Sequence, residues 1–169
     1  QNPQPLEGNI VKRAWFRSYP ADCPLPPGAR VVQAWDTAGK TGATNDFSVC
    51  TTWALLPDGQ IWLWDVYRDR VDQPTLQKLI PKLAKRFNAE RVLIEDSPVA
   101  IGLIQGLRQS AFYRLVPKTP KGDKRVRLIS ISPMIENGFV YLPSSAPWLD
   151  CHVDELTAFP GAKFDDQVD

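Results

Sequence analysis

The change of hydrophobic period along this chain restricts its fold more than any other feature. From Arg30 three strand-like runs follow in quick succession: Val31 to Asp36, about Phe47 to Leu56, and Ile61 to Tyr67. A Gly- and Thr-rich stretch, Thr37 to Gly42, separates the first two, and Asp58-Gly59 is a strong hairpin signal between the second and third. Ile61, Trp62, Trp64, Val66 and Tyr67 give the third run the β-branched and aromatic density of a strand. An antiparallel three-stranded meander is the expected product. The period then switches. Leu76, Leu79, Ile80, Leu83, Ala84 and Phe87 recur at helical spacing and make one apolar face. Asp72 is placed to cap that helix, Pro74 is tolerated in its first turn, and Asn88 ends it. Pro81 lacks a backbone donor and is expected to kink the helix or mark a late start.

Beyond the helix, Arg91 to Glu95 is a short, nearly continuous apolar run, the pattern of a parallel strand buried on both faces. Ser97-Pro98 then caps a second helix with Ile101, Ile104 and Leu107 inward. A further strand is expected near Phe112 to Val116, and a third helix from Asp123 to Asn137 stopping at Gly138. Phe139 to Pro143 reads as a short strand, and Trp148 to Phe159 as a last amphipathic helix. Residues 1–29 are proline-rich and aperiodic, so they read as an irregular lead-in, with regular structure starting at about Arg30.

A chain of 169 residues is enough for one sizeable α/β domain and too short for two ordinary ones. No apolar stretch approaches the ~20 residues that span a bilayer, and the polar start Gln1-Asn2-Pro3-Gln4-Pro5 is no signal peptide. The lack of an initiator Met suggests a piece of something longer. Cys23, Cys50 and Cys151 are widely spaced, and with His152 as the single histidine they make no convincing zinc site. They read as reduced thiols of a cytoplasmic protein. A lone histidine also weakens any nucleophile–histidine triad.

Carboxylates stand where the strands end. Val31-Val32-Gln33-Ala34-Trp35 runs into Asp36, Val92-Leu93-Ile94 runs into Glu95, and Phe164 is followed by Asp165-Asp166. Carboxylates at the ends of buried strands are costly to desolvate unless something cationic meets them. Converging oxygen ligands are what Mg²⁺ or Mn²⁺ requires, and two such ions roughly 3.5–4 Å apart can drive phosphodiester hydrolysis. Singly, each acid has a plainer reading as a turn cap, a helix cap or a solvated tail. Asp46 reads as an ordinary strand start. From Arg108 to Arg127 the chain carries seven cations, including Lys118, Lys121, Lys124, Arg125 and Arg127, against the single acid Asp123. The net charge is only +1, so this local stretch rather than overall charge is what suits phosphate contacts. The six tryptophans read as core and sheet-face residues.

Three strands followed by alternating helix and strand is the element order of a ribonuclease H-like α/β fold. Its central mixed sheet has an antiparallel first part and parallel strands after it, flanked by helices. In that geometry the ends of the first and fourth strands are neighbours, and Asp36 would lie beside Glu95.

The chain resembles the C-terminal nuclease domain of the large terminase subunit of tailed bacteriophages over nearly its whole length. The resemblance rests on Ala34-Trp35-Asp36-Thr37-Ala38, Asn45-Asp46-Phe47-Ser48, Val92-Leu93-Ile94-Glu95-Asp96 and Lys121-Gly122-Asp123-Lys124. It rests further on Gly138 to Pro143, and on Phe159-Pro160-Gly161 leading to Asp165-Asp166-Gln167-Val168-Asp169. It implies a nuclease domain over residues 30–169, truncated at its C-terminus, preceded by a lead-in from an absent N-terminal ATPase domain. The activity implied is that of a metal-dependent endonuclease cutting concatemeric double-stranded viral DNA, using two Mg²⁺ or Mn²⁺ ions. By position Asp36, Glu95 and Asp166 would be the catalytic metal ligands, with Asp165 the substitute for the third. Phe164 stands where the family often has histidine. Lys118, Lys121, Lys124, Arg125 and Arg127 would contact DNA. The family further implies the portal protein and small terminase subunit as partners, no membrane, and the host cytoplasm as location, transiently at the procapsid portal. A resolvase or transposase core of the same fold, or a non-catalytic docking module of the packaging motor, are the alternatives. No Walker A motif is present.

Overall fold

The computed structural model describes residues 9–37 and 46–161. Among them, seven strands form one sheet in the order β1-β7-β4-β3-β2-β5-β6. In chain order these are β1 Arg17–Tyr19, β2 Arg30–Asp36, β3 Ser48–Leu55, β4 Ile61–Asp69, β5 Arg91–Glu95, β6 Leu115–Lys118 and β7 Val140–Pro143. The helices are α1 Gln73–Arg86, α2 Ile101–Gln109, α3 Lys124–Glu136 and α4 Leu149–Ala158. β2, β3 and β4 are the antiparallel meander, and β5, β6, β7 and β1 join in parallel. This is the ribonuclease H-like mixed sheet that the element order predicts.

The turn chemistry behaves as the residue types demand. Gly59 takes φ +92 in the β3–β4 hairpin, a conformation open to glycine and costly for a side chain. The Asp72 carboxylate accepts from the Thr75 amide at 2.8 Å and caps α1. Hydrogen bonds from Thr75 hold that carboxyl below its ordinary pKa. Asn88 is left-handed at φ +50, and the Ala89 amide donates back to the Ala84 carbonyl, closing the helix end.

Alternation along each strand sends side chains to opposite faces. On one face Trp35, Cys50, Val92 and Ile94 pack with Leu76, Ile80, Leu83 and Ala84 of α1 and Leu103, Ile104 and Leu107 of α2. On the other, Val140 meets Leu128 and Ile135 of α3 and Leu156 of α4, and Val49, Leu63 and Val66 meet Val153 of α4. No helix among the described residues is long and apolar enough to cross a membrane.

Four sequence expectations need adjustment. Residues 1–29 are not irregular throughout. Arg13–Trp15 is a 3₁₀ turn and Arg17–Tyr19 is an edge strand paired with β7. Val11 is fully buried and Tyr19 is 4% exposed, with its ring stacked on Trp62 at 4.3 Å. The Tyr19 hydroxyl donates to the Leu63 carbonyl at 2.5 Å. This part of the lead-in is therefore packed domain. Secondly, of the kink or late start expected at Pro81, the late start is excluded, since α1 runs from Gln73 to Arg86. Burial of Ile80, Leu83 and Ala84 offsets the lost donor. Thirdly, Ser97 caps a turn that precedes α2 rather than the helix itself: its hydroxyl accepts from the Ala100 amide at 3.3 Å. The strand expected at Phe112 to Val116 forms slightly later, as β6.

Tyr19→Ala should remove the stack and the hydrogen bond together and destabilise the chain by about 3 kcal/mol. Chemical denaturation measures it. A loss below ~0.5 kcal/mol, the scatter of surface substitutions, would return the segment to the status of a loose linker.

Candidate active site

β2 and β5 run parallel, with Val32 opposite Arg91 and Trp35 opposite Ile94. Asp36 and Glu95 are the next residue on each strand, so they stand at the ends of neighbouring strands, and neighbouring strands in a sheet lie about 4.8 Å apart. Ala34 and Asp36 share one face, and Leu93 and Glu95 share the same one; all four line a cleft of about 390 Å³. Val49, paired with Asp36, and Thr51 form its floor on β3. The rim comes from the segment leading out of β6, with Lys118, Thr119, Pro120 and Lys121, and from Arg127 of α3. Lys118 is in register with Glu95.

The site has a specific electrostatic arrangement. Asp123 accepts from the Val126 amide at 2.9 Å and starts α3, which makes Lys124 the first helical residue. Lys124 Nζ lies 3.3 Å from Asp36 Oδ2. Their side chains are 26% and 24% exposed, so the pair is shielded but reachable by water. α3 has no acid in its first turn, yet it carries Lys124, Arg125 and Arg127 there. Cations at a helix N-terminus oppose the helix dipole, so this arrangement calls for anions.

The structure brings Asp36, Glu95, Lys118, Lys121, Lys124 and Arg127 together. Arg125 is exposed and does not line the cleft. Asp46 is exposed just ahead of β3 and also lies off the cleft lining. Asp165 and Asp166 lie outside the described residues. Among the described residues, no group of three or more His, Cys, Asp or Glu side chains forms a metal cage. The donor set itself suits a hard divalent cation. It offers two carboxylates on adjacent strands, partly open to water, with an ammonium already held where positive charge is favoured. Sequence reasoning assigned Lys124 to DNA and missed its contact with Asp36. The two are 88 residues apart, and no local pattern signals the pair.

The chain is thus a ribonuclease H-like domain with acidic groups at the ends of two adjacent parallel strands, rimmed by cations. Its sequence matches the model of the terminase RNase H-like domain over residues 33–169, and the chain belongs to that family. No curated protein matches the sequence. Solved structures support the fold. The large terminase nuclease of thermophilic phage G20c, solved with bound cobalt, superposes with a TM-score of 0.70 at 15% identity. That match covers 97% of this chain and 94% of the other. The same nuclease has been solved with bound magnesium, again at a TM-score of 0.70 and 15% identity, with the same coverage of the two chains. The large terminase of a second thermophilic bacteriophage matches with a TM-score of 0.65 at 12% identity. Here 88% of this chain is covered but only 36% of the other, so this chain spans about a third of that protein's length.

Proposed function

We propose that this domain is the nuclease of a phage packaging terminase, a divalent-metal-dependent endonuclease that cuts concatemeric double-stranded viral DNA. The observation that carries the reading is the register of β2 against β5, which sets Asp36 beside Glu95 in a cation-rimmed cleft. Family membership supports it, as do the metal ions in the G20c nuclease structures.

Asp36 and Glu95 would hold Mg²⁺ or Mn²⁺, with Asp166, or Asp165 in its place, as the third ligand. Two ions held there would supply an activated water and charge stabilisation at the leaving 3′ oxygen. The chain's own residues set the geometry around that event. The strand ends fix the two carboxylates on rigid elements that line the cleft. Lys118, Lys121 and Arg127 contact phosphates on either side, fixing the position of the duplex and reading little of its sequence. In the full polypeptide an ATPase domain would precede this one. The portal and the small terminase subunit would be its partners in the host cytoplasm, at the procapsid.

The test is supercoiled-plasmid cleavage by wild type, Asp36→Asn and Glu95→Gln, each with Mn²⁺, Mg²⁺ or EDTA. Nicking and linearisation are expected from wild type with metal only. Equal cleavage by all three proteins would end the reading. Preferential cutting of branched over linear duplex would favour a resolvase-type enzyme instead.

A further inference from the structure

Lys124 stands between two anions that compete for its charge. One is Asp36, at 3.3 Å. The other, on the metal-nuclease reading above, is the DNA phosphate that the cleft must admit. We propose that Lys124 is a two-position residue, bound to Asp36 without metal and released to a DNA phosphate when a divalent cation takes Asp36. Metal and DNA binding are then coupled through one side chain.

The placement supports this. Lys124 sits at the first position of α3, where the dipole disfavours a cation that lacks an anionic partner. An ion carrying two charges at Asp36 repels the ammonium from it. The side chain has four rotatable bonds and is 26% exposed next to Asp36, a residue that lines the cleft together with Lys121 and Arg127. Without metal, Lys124 neutralises Asp36 and keeps the two carboxylates from repelling each other, while its own charge is withheld from DNA. Coupling of this kind is reciprocal: whatever metal does for DNA affinity, DNA does for metal affinity.

The experiment measures the affinity of the chain for a short duplex at fixed salt by fluorescence anisotropy, in EDTA and in Ca²⁺ used as a metal probe. Ca²⁺ should tighten wild-type binding roughly tenfold, and Lys124→Met should lose most of that gain. A second comparison is made entirely in EDTA. Asp36→Ala and Glu95→Ala each remove one negative charge near the phosphate, but only Asp36→Ala also removes the carboxylate 3.3 Å from Lys124. Asp36→Ala should therefore bind DNA several-fold more tightly than Glu95→Ala, and the difference should vanish in a Lys124→Met background. Equal affinities for Asp36→Ala and Glu95→Ala with Lys124 present would overturn the proposal. So would a Ca²⁺ gain untouched by Lys124→Met. If Ca²⁺ leaves wild type unchanged and no metal supports cleavage, the metal site has failed, and the EDTA comparison still decides the role of Lys124. Thermal unfolding of each variant confirms that the proteins compared are folded.

Discussion

Asp36→Asn and Glu95→Gln are each expected to lower plasmid cleavage by at least about a hundredfold while leaving the fold in place. Loss of a partner outside the metal's own ligand shell typically costs 10–100-fold, so loss of a direct ligand should cost no less. A hundredfold corresponds to about 2.7 kcal/mol at the transition state. Both replacements keep the size and shape of the side chain. Both sites are at strand ends and only partly buried, so little packing is disturbed. Asp36→Asn gives up the ionic contact with Lys124, but a shielded surface pair of this kind contributes no more than about 1 kcal/mol. Circular dichroism and unfolding midpoints close to wild type, alongside lost cleavage, are the combined result expected. A variant that cuts within threefold of wild type would remove its carboxylate from the chemistry.

The second large effect concerns the scaffold. Ile94 is fully buried on β5, opposite Trp35 on β2, one residue before both carboxylates. Its side chain packs into the core shared with α1 and α2. Ile94→Ala removes that contact and leaves a cavity beneath the strand pairing that aligns Asp36 with Glu95. A cost of about 3 kcal/mol is expected, which for a domain of this size is a fall of roughly 10 °C in Tm. Calorimetry reads it directly. A shift under ~2 °C would mean that Ile94 does not anchor β5 in the core as described.

How far the sequence reached depended on whether the information was local. The meander, the helical faces, the cap at Asp72 and the start of α3 at Asp123 were legible, because each is encoded within a few residues. The order of elements then sufficed to put Asp36 beside Glu95. β1 was not legible. Arg17-Ser18-Tyr19 is three residues long, too short for any period, and follows an aperiodic stretch. It is a strand because β7 offers an open edge and Tyr19 finds Trp62 and the Leu63 carbonyl, partners more than 40 residues away. The late start allowed for at Pro81 failed for a related reason. Propensity argued against a proline inside the helix, and packing of Ile80 and Ala84, both fully buried, prevailed. Lys124 was found as a cation but not as the partner of Asp36, since only the return of α3 over the sheet brings them together.

Whether Asp36 and Glu95 jointly hold a divalent ion is the point on which the proposed chemistry turns. Crystals of the chain grown or soaked with Mn²⁺, with diffraction collected near the manganese edge, locate that ion most directly. The expected result is an anomalous peak touching carboxylate oxygens of both Asp36 and Glu95, with Lys124 turned away from Asp36. A protein that cleaves DNA with Mn²⁺ while its ion sits elsewhere, or while neither carboxylate touches it, would contradict the account.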